Sequence, residues 1–145
     1  MSETEQPNPN DVVIAEFRAN KGVVTDAMGG HFRSVHLLLL HHTGRRSGRA
    51  LINPLVYFTD GDDYVVAGSN GGAEKEPLWV ANVEALDETT AEIGERTLRV
   101  RPKILREGDE RDRLFGRFAA YWPDAHEYVT HTDRPFAMVV LSPVA

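Results

Sequence analysis

"LINPLVYFTDGDDYVVAGS", residues 51–69, is two β-rich apolar runs joined at Asp60-Gly61. Val, Ile, Leu, Tyr and Phe fill the arms, and an aspartate–glycine pair between such runs is a strong short-range hairpin signal. Pro54 has no amide hydrogen to give to a ladder, so the first arm is expected to meet an edge, a bulge or a bend there. A hairpin pairs antiparallel, and that sets the expectation for the strands on either side.

Upstream, residues 35–42 ("VHLLLLHH") are apolar on both alternating faces, as in a strand buried on both sides. Downstream, residues 89–93 and 96–105 read as a second hairpin across Gly94-Glu95, and "FAMVVLS" (136–142) as a last strand. Between them lie helical stretches. "NDVVIAEFRANKG" (10–22) has Asn10 as its N-cap, a Val13, Ile14 and Phe17 stripe, and Gly22 as its stop. Residues 23–34 read mostly as loop. "NGGAEKEP" (70–77) is a loop opening a helix, with Pro77 its first residue and Leu78, Trp79, Asn82, Val83 and Leu86 at helical spacing. Residues 109–122 carry Leu114, Phe115, Phe118, Tyr121 and Trp122 on one stripe, and a shorter helical stretch covers 125–130. The order is helix, three strands, helix, two strands, helices, strand. It predicts an α+β chain that is mainly β: a small antiparallel barrel with helices packed outside, rather than a doubly wound sheet. Residues 1–9 read as a flexible tail and 10–145 as a single domain.

Formal net charge is −6, with 22 acidic residues against 16 basic ones, which argues against general nucleic-acid affinity. There is no cysteine, hence no disulfide framework or thiolate metal site, and this suits a reducing cytoplasm. The polar, acidic start "MSETEQPNPN" is unlike a secretory signal. No apolar run is long enough for a transmembrane segment, although peripheral membrane contact stays open.

Against that acidic background, "TGRRSGR" (43–49) places Arg45, Arg46 and Arg49 among Gly44, Ser47 and Gly48. Glycines let backbone N–H groups approach an anion, the serine adds a donor, and the guanidinium fork suits phosphate or carboxylate. The competing reading is a solvated hairpin tip whose arginines pair with surface acids. It is not a P-loop, whose glycine spacing and lysine are missing. The strand-to-helix stretch "GSNGGAEKEPLW" (68–79) either presents N–H groups and a helix dipole to an anion or is an ordinary connection; Glu74 and Glu76 would oppose an anion if they pointed inward. Trp79, Trp122, Tyr121 and Tyr128 could form a pocket for a planar ring, but each taken alone reads as core before site, since large aromatics mostly supply buried area. His36, His41 and His42 invite a metal reading, but adjacent strand histidines face opposite ways and no carboxylate stands at ligand spacing, so no metal is expected. There is no G-x-S-x-G nucleophile elbow and no thiol nucleophile.

The run "LLLLHHTGRRSGRALINPLVYFTDGDDYVVAGSNGGAEKEPLWVANV" (37–83) resembles the deazaflavin-dependent nitroreductases and quinone reductases of actinobacteria. Members of that family show T-T-G-R-[KR]-[ST]-G, then N-P-L or T-P-L, then a strand ending near A-S-K-G-G and a helix opening P-x-W. The likeness continues through "EGDERDRLFGRFAAYWPDAHEYVTHTDR" (107–134) to "VVLSP" (139–143). It implies a flavin-reductase-like split β-barrel binding coenzyme F420, an 8-hydroxy-5-deazaflavin, with FMN less favoured. By position, it implies that Arg45, Arg46 and Ser47 hold the phosphodiester and acidic tail, and that Ile52, Asn53, Pro54, Leu55 and Val56 line the ring system. Ala67, Gly68, Ser69 and Asn70 would form the opposite loop, and Leu78, Trp79 and Asn82 would close the site. Trp122 and Tyr128 would border the substrate pocket, with Ser69 and Tyr128 as catalytic hydrogen-bond donors.

The family commonly has arginine where Leu51 stands, lysine where Asn70 stands, and an aromatic or basic residue in place of Val80. Trp122 and Ala125 occupy places that can be tyrosine. Two lost positive charges predict weaker cofactor binding unless Arg49 or Lys75 compensates. The activity implied is hydride transfer from the reduced deazaflavin to a small-molecule acceptor: a quinone, an activated enone or a nitroaromatic. The reading from another class is a non-catalytic barrel for a fatty acid, a haem-related ring or another hydrophobic anion. A nucleic-acid-binding barrel ranks last, for want of a broad basic and aromatic surface.

Overall fold

Along the chain, the computed structural model, which describes residues 9–27, 35–68, 76–122 and 136–144, runs α1 (Pro9–Ala19), β1 (His36–Thr43), β2 (Ala50–Asp60), β3 (Asp63–Gly68), α2 (Leu78–Glu84), β4 (Thr89–Ile93), β5 (Arg96–Leu105), α3 (Asp109–Tyr121) and β6 (Ala137–Pro143). All six strands pair antiparallel, in the closed order β1-β2-β3-β6-β5-β4, and β4 returns to β1 through Leu39↔Glu92 and Leu40↔Ala91. Both expected hairpins are present. Gly61 takes φ +63° between Asp60 and Asp63, a left-handed backbone that favours glycine.

Pro54 lies at an edge. β2 pairs with β3 only from Tyr57 to Asp60, whereas its whole length from Ala50 to Tyr57 pairs with β1. From Ala50 to Val56, β2 therefore has a strand on one side alone among the described residues, and a missing N–H is tolerated on the other.

β1 is buried on both faces, for the period-two reason anticipated. Leu38 and Leu40 point inward with Val66, Val100, Val139 and Leu141, and α2 adds Trp79, Val80 and Val83 to the same cluster. Leu37 and Leu39 point outward and are covered by Val13 and Phe17 of α1. On another face, Leu114, Phe118 and Trp122 cover Phe58, Val65 and Met138. Burying each such leucine, valine or phenylalanine contributes about 1.5–3 kcal/mol.

The boundaries shift slightly from the sequence expectation. α1 starts at Pro9, so Asn10 is inside the helix rather than its cap; proline's fixed φ suits a first turn. α2 starts after Pro77, whose ψ of 144° keeps it outside, and it ends at Glu84, so Leu86 is not on its stripe. The helical stretch expected at 125–130 lies outside the described residues, as do residues 1–8 of the tail expected at 1–9, whose last residue, Pro9, belongs to α1. No helix among the described residues is long and apolar enough to cross a membrane.

α1 is tied to the chain that follows it by a single carboxylate. Glu16 accepts the main-chain N–H groups of Thr25 at 2.9 Å, Asp26 at 3.0 Å and Ala27 at 2.7 Å, plus the Thr25 hydroxyl at 3.1 Å. The backbone donors of Asp26, Thr25 and Ala27 lower its pKa from 4.5 to about 2. A depressed carboxylate pKa stabilises the fold fully above the unfolded value and loses that contribution as pH falls through the folded one. Glu16→Gln is therefore expected to lower Tm at pH 7 and to flatten the fall in Tm between about pH 4.5 and pH 2. Melting curves across that range check it; an unchanged acid limb would show that Glu16 does not set it.

Candidate active site

The three arginines lie on the connection from β1 to β2, residues 44–49. Its backbone closes on itself: Gly44 N–H donates to the Arg49 carbonyl and Gly48 N–H to the Gly44 carbonyl, each at 2.9 Å. Ser47 Oγ accepts the Arg49 N–H at 3.1 Å, which leaves the hydroxyl hydrogen for another acceptor. Arg45, Arg46 and Arg49 are exposed, and among the described residues no carboxylate forms an ion pair with them. Arg45 is near enough to Glu84 to help lower its pKa, after the larger effect of Arg106. Two acids of the barrel wall pair elsewhere: Asp60 with Arg113 and Arg117 of α3, and Glu92 with Arg18 of α1. Among the described residues the turn is thus left with a concentration of positive charge that no ion pair offsets.

Glu76 is engaged by a guanidinium. Arg106, just past β5, donates to Glu84 at 2.7 and 3.0 Å and to Glu76 at 3.1 Å, so one guanidinium bridges both acids and offsets part of their charge.

The turn is anchored from inside the barrel. The Arg45 main-chain N–H donates to Asn82 Oδ1 at 3.3 Å, Asn82 Nδ2 meets His42 Nδ1 at 3.0 Å, and His42 Nε2 meets Asn53 Oδ1 at 2.7 Å. His42 and Asn82 are 5% and 6% exposed, so water does not compete for these groups. Burial lowers the His42 pKa, against the Asn53 hydrogen bond and helped by His41. The adjacent His41 faces the other way and meets Glu92 at 2.7 Å.

Sequence reasoning placed Asn53 and Asn82 at the site but passed over His42, weighing it only as a metal ligand. The available signal was its inward strand parity, directly before the glycine turn, where the family motif has threonine.

The other expected site residues divide by environment. Ile52, Asn53, Pro54, Leu55 and Val56 are half-buried along the open half of β2. Leu55 touches the barrel core, whereas Ile52 and Val56 border the α1 cluster. Ala67 and Gly68 end β3, and a β-carbon on Gly68 would lie 2.9 Å from a Val80 methyl, so α2 rests against that strand end. The small residue permits the close approach. Leu78 is 83% exposed, whereas Trp79 is 4% exposed within the core. Trp122, expected at the substrate pocket, is buried at the C-terminal end of α3 among Leu114, Phe118 and Met138. Ser69, Asn70 and Tyr128, like Glu74, Lys75 and Ala125, lie outside the described residues.

Residues 13–143 match the family model described as F420H(2)-dependent quinone reductase. The chain belongs to that family. A provisionally named F420H(2)-dependent quinone reductase of Mycobacterium tuberculosis is 32% identical over 117 residues, 80% of this chain and 98% of the relative. Another from the same organism, named F420H(2)-dependent quinone reductase, is 29% identical over 113 residues, 72% of each chain. The solved structure of an F420-H2 dependent reductase superposes with a TM-score of 0.65 at 29% identity, over 73% of this chain and 93% of that one. Family membership makes the chain an F420-dependent oxidoreductase on a six-stranded antiparallel barrel with flanking helices. The residues present fit a cofactor with an anionic tail. The guanidiniums of the turn have no described carboxylate partner, and the turn adjoins a strand whose other side has no described ladder partner.

Leu51 tests how far that charge is tuned. It is 36% exposed, and its Cδ1 lies 3.6 Å from where a β-carbon on Gly44 would stand, so it borders the turn. Leu51→Arg is expected to tighten binding of oxidised F420 by up to about tenfold at low salt, with a steeper loss as salt is added. Titrations at two ionic strengths read this. Unfolding of the variant would instead place Leu51 in the core.

Proposed function

We propose that this F420-dependent reductase passes a hydride from the reduced cofactor to a quinone, with activated enones and nitroaromatics as further acceptors. The observation that carries the reading is the exposed Arg45, Arg46 and Arg49 cluster, anchored through Asn82 and free of described carboxylate partners, in a chain of net charge −6. Arg45, Arg46 and Ser47 would hold the phosphodiester and acidic tail, and residues 52–56 with Ala67 and Gly68 would border the ring. When bound, the reduced deazaflavin supplies the hydride, and no protein nucleophile is needed. The chain's contribution is binding, orientation and exclusion of water. The non-catalytic carrier is not favoured, since the family is one of reductases.

Titration with oxidised F420 beside FMN, followed by turnover of the reduced cofactor with menadione, an enone and a nitroaromatic, tests the reading. Saturable F420 binding with menadione turnover supports it; saturable binding of FMN alone overturns it.

Ser69 and Tyr128 are proposed as donors to the acceptor oxygen. Hydride arrival at a quinone puts negative charge on that oxygen, and losing one positioned donor costs about 10²–10³-fold in turnover. Ser69→Ala and Tyr128→Phe are therefore expected to slow menadione reduction by that order while F420 affinity changes little. Full activity in the double variant would remove both hydroxyls from the reaction.

A further inference from the structure

The hydrogen-bonded chain from Asn53 through the buried His42 and Asn82 to Arg45 has a direction that its chemistry fixes. A main-chain N–H can only donate, so the Asn82 oxygen must face Arg45 and the Asn82 amide nitrogen must face His42. That amide nitrogen also only donates, so His42 Nδ1 must accept and carry no proton. The proton then sits on Nε2 and is donated to Asn53 Oδ1. No member reverses alone. A flipped Asn82 would set N–H against N–H at Arg45, and an imidazole protonated at Nδ1 would do the same at Asn82.

We propose that His42 is a positioning residue for the arginine turn: held as the Nε2–H tautomer, it fixes the Asn82 amide, which anchors the Arg45 backbone and with it the guanidinium cluster. Three separate elements meet in this chain, β1 by His42, β2 by Asn53 and α2 by Asn82, so the turn is referenced to the barrel rather than to its own loop. Its interior position gives the chain weight. The His42 ring and the Asn82 amide at its centre are screened from water, and a donor left without an acceptor there costs more than the hydrogen bond itself. The threonine usual at this place in the family has one hydroxyl and cannot reproduce a rigid ring bridging partners at 2.7 and 3.0 Å. The anchoring stands on these contacts; its effect on cofactor affinity rests on the function proposed above.

Two variants separate anchoring from mere packing. His42→Asn keeps an oxygen that can accept from Asn82 but gives up Asn53. His42→Leu fills the space and offers Asn82 nothing. Histidine 15N shifts of the free parent chain are expected to show the Nε2–H tautomer. Arg45 amide hydrogen exchange is expected to quicken about two- to tenfold in His42→Leu and to stay within about twofold of the parent in His42→Asn. Oxidised F420 affinity should fall in the same order. An Nδ1–H tautomer in the parent, or equal Arg45 exchange in both variants, overturns the positioning role. Unequal exchange with equal F420 affinity overturns its consequence for the cofactor. A parent that shows the exchange pattern but binds no F420 refutes the cofactor reading and supports the anchoring. Should His42→Leu fail to fold, Asn82→Asp provides the same decision: a carboxylate can accept from Arg45 but cannot donate to His42, so Nδ1 must gain a proton. Unchanged 15N shifts in that variant would overturn the proposal.

Discussion

Replacing Arg45 and Arg46 together by alanine is expected to weaken binding of oxidised F420 about 100-fold while changing unfolding free energy by no more than about 0.5 kcal/mol. A charge-assisted hydrogen bond contributes roughly 1.5–3 kcal/mol, and these exposed guanidiniums belong at the lower end of that range, so each costs about tenfold. Because both act on one anionic tail, their effects need not add, and each single variant should lose less than the double one. Stability is spared for a structural reason. The anchoring donor to Asn82 is the Arg45 main-chain N–H, which alanine retains, and neither guanidinium has a described carboxylate to lose. Isothermal titration of parent and variants at low and moderate salt reads the affinity, and urea unfolding reads the stability. Equal dissociation constants would return the turn to a solvated hairpin tip.

The same turn shows how much was legible in the sequence. Its charge could be read because arginines beside glycines in an acidic chain form a local pattern. The barrel could be read because residues 51–69 and 89–105 announce hairpins through their turns, and because β1 is apolar at both parities. Pro54 was legible as an edge, a bulge or a bend, since a missing N–H constrains its strand whatever lies around it, and only the pairing of β2 shows that it is an edge. What holds the turn in place was not legible. Asn82 is 37 residues from Arg45 and 40 from His42, and no periodicity joins them. The pairing of Glu76 was hidden for the same reason: Arg106 lies 30 residues away, at the end of a different hairpin. Resemblance brought Asn53 and Asn82 to the site by position, but it did not say that they hold the protein's own backbone and histidine.

Trp79 separates positional inheritance from packing, and its truncation is the second large effect expected. α2 is only seven residues long, too short to hold itself together in water, so tertiary contact must fix it. Its residues sort sharply: Leu78 is 83% exposed, whereas Trp79, Val80, Asn82 and Val83 are all buried. Trp79 shares the core cluster with Leu38, Leu40, Val66 and Val139, which come from β1, β3 and β6. Trp79→Ala should therefore lose about 3–5 kcal/mol of stability, the range for removing a buried large aromatic. Trp79→Phe keeps an apolar ring and should lose less. Affinity should fall too, but through the helix: Asn82 sits one turn beyond Trp79, and a loosened α2 releases the Asn82 amide from Arg45. A core role thus predicts that F420 affinity recovers in Trp79→Phe along with stability. Urea unfolding and F420 titration on the two variants decide it. A tenfold affinity loss in Trp79→Phe with the fold unweakened would mean that the indole itself meets the cofactor, and that α2 presents Trp79 to the site rather than to the core.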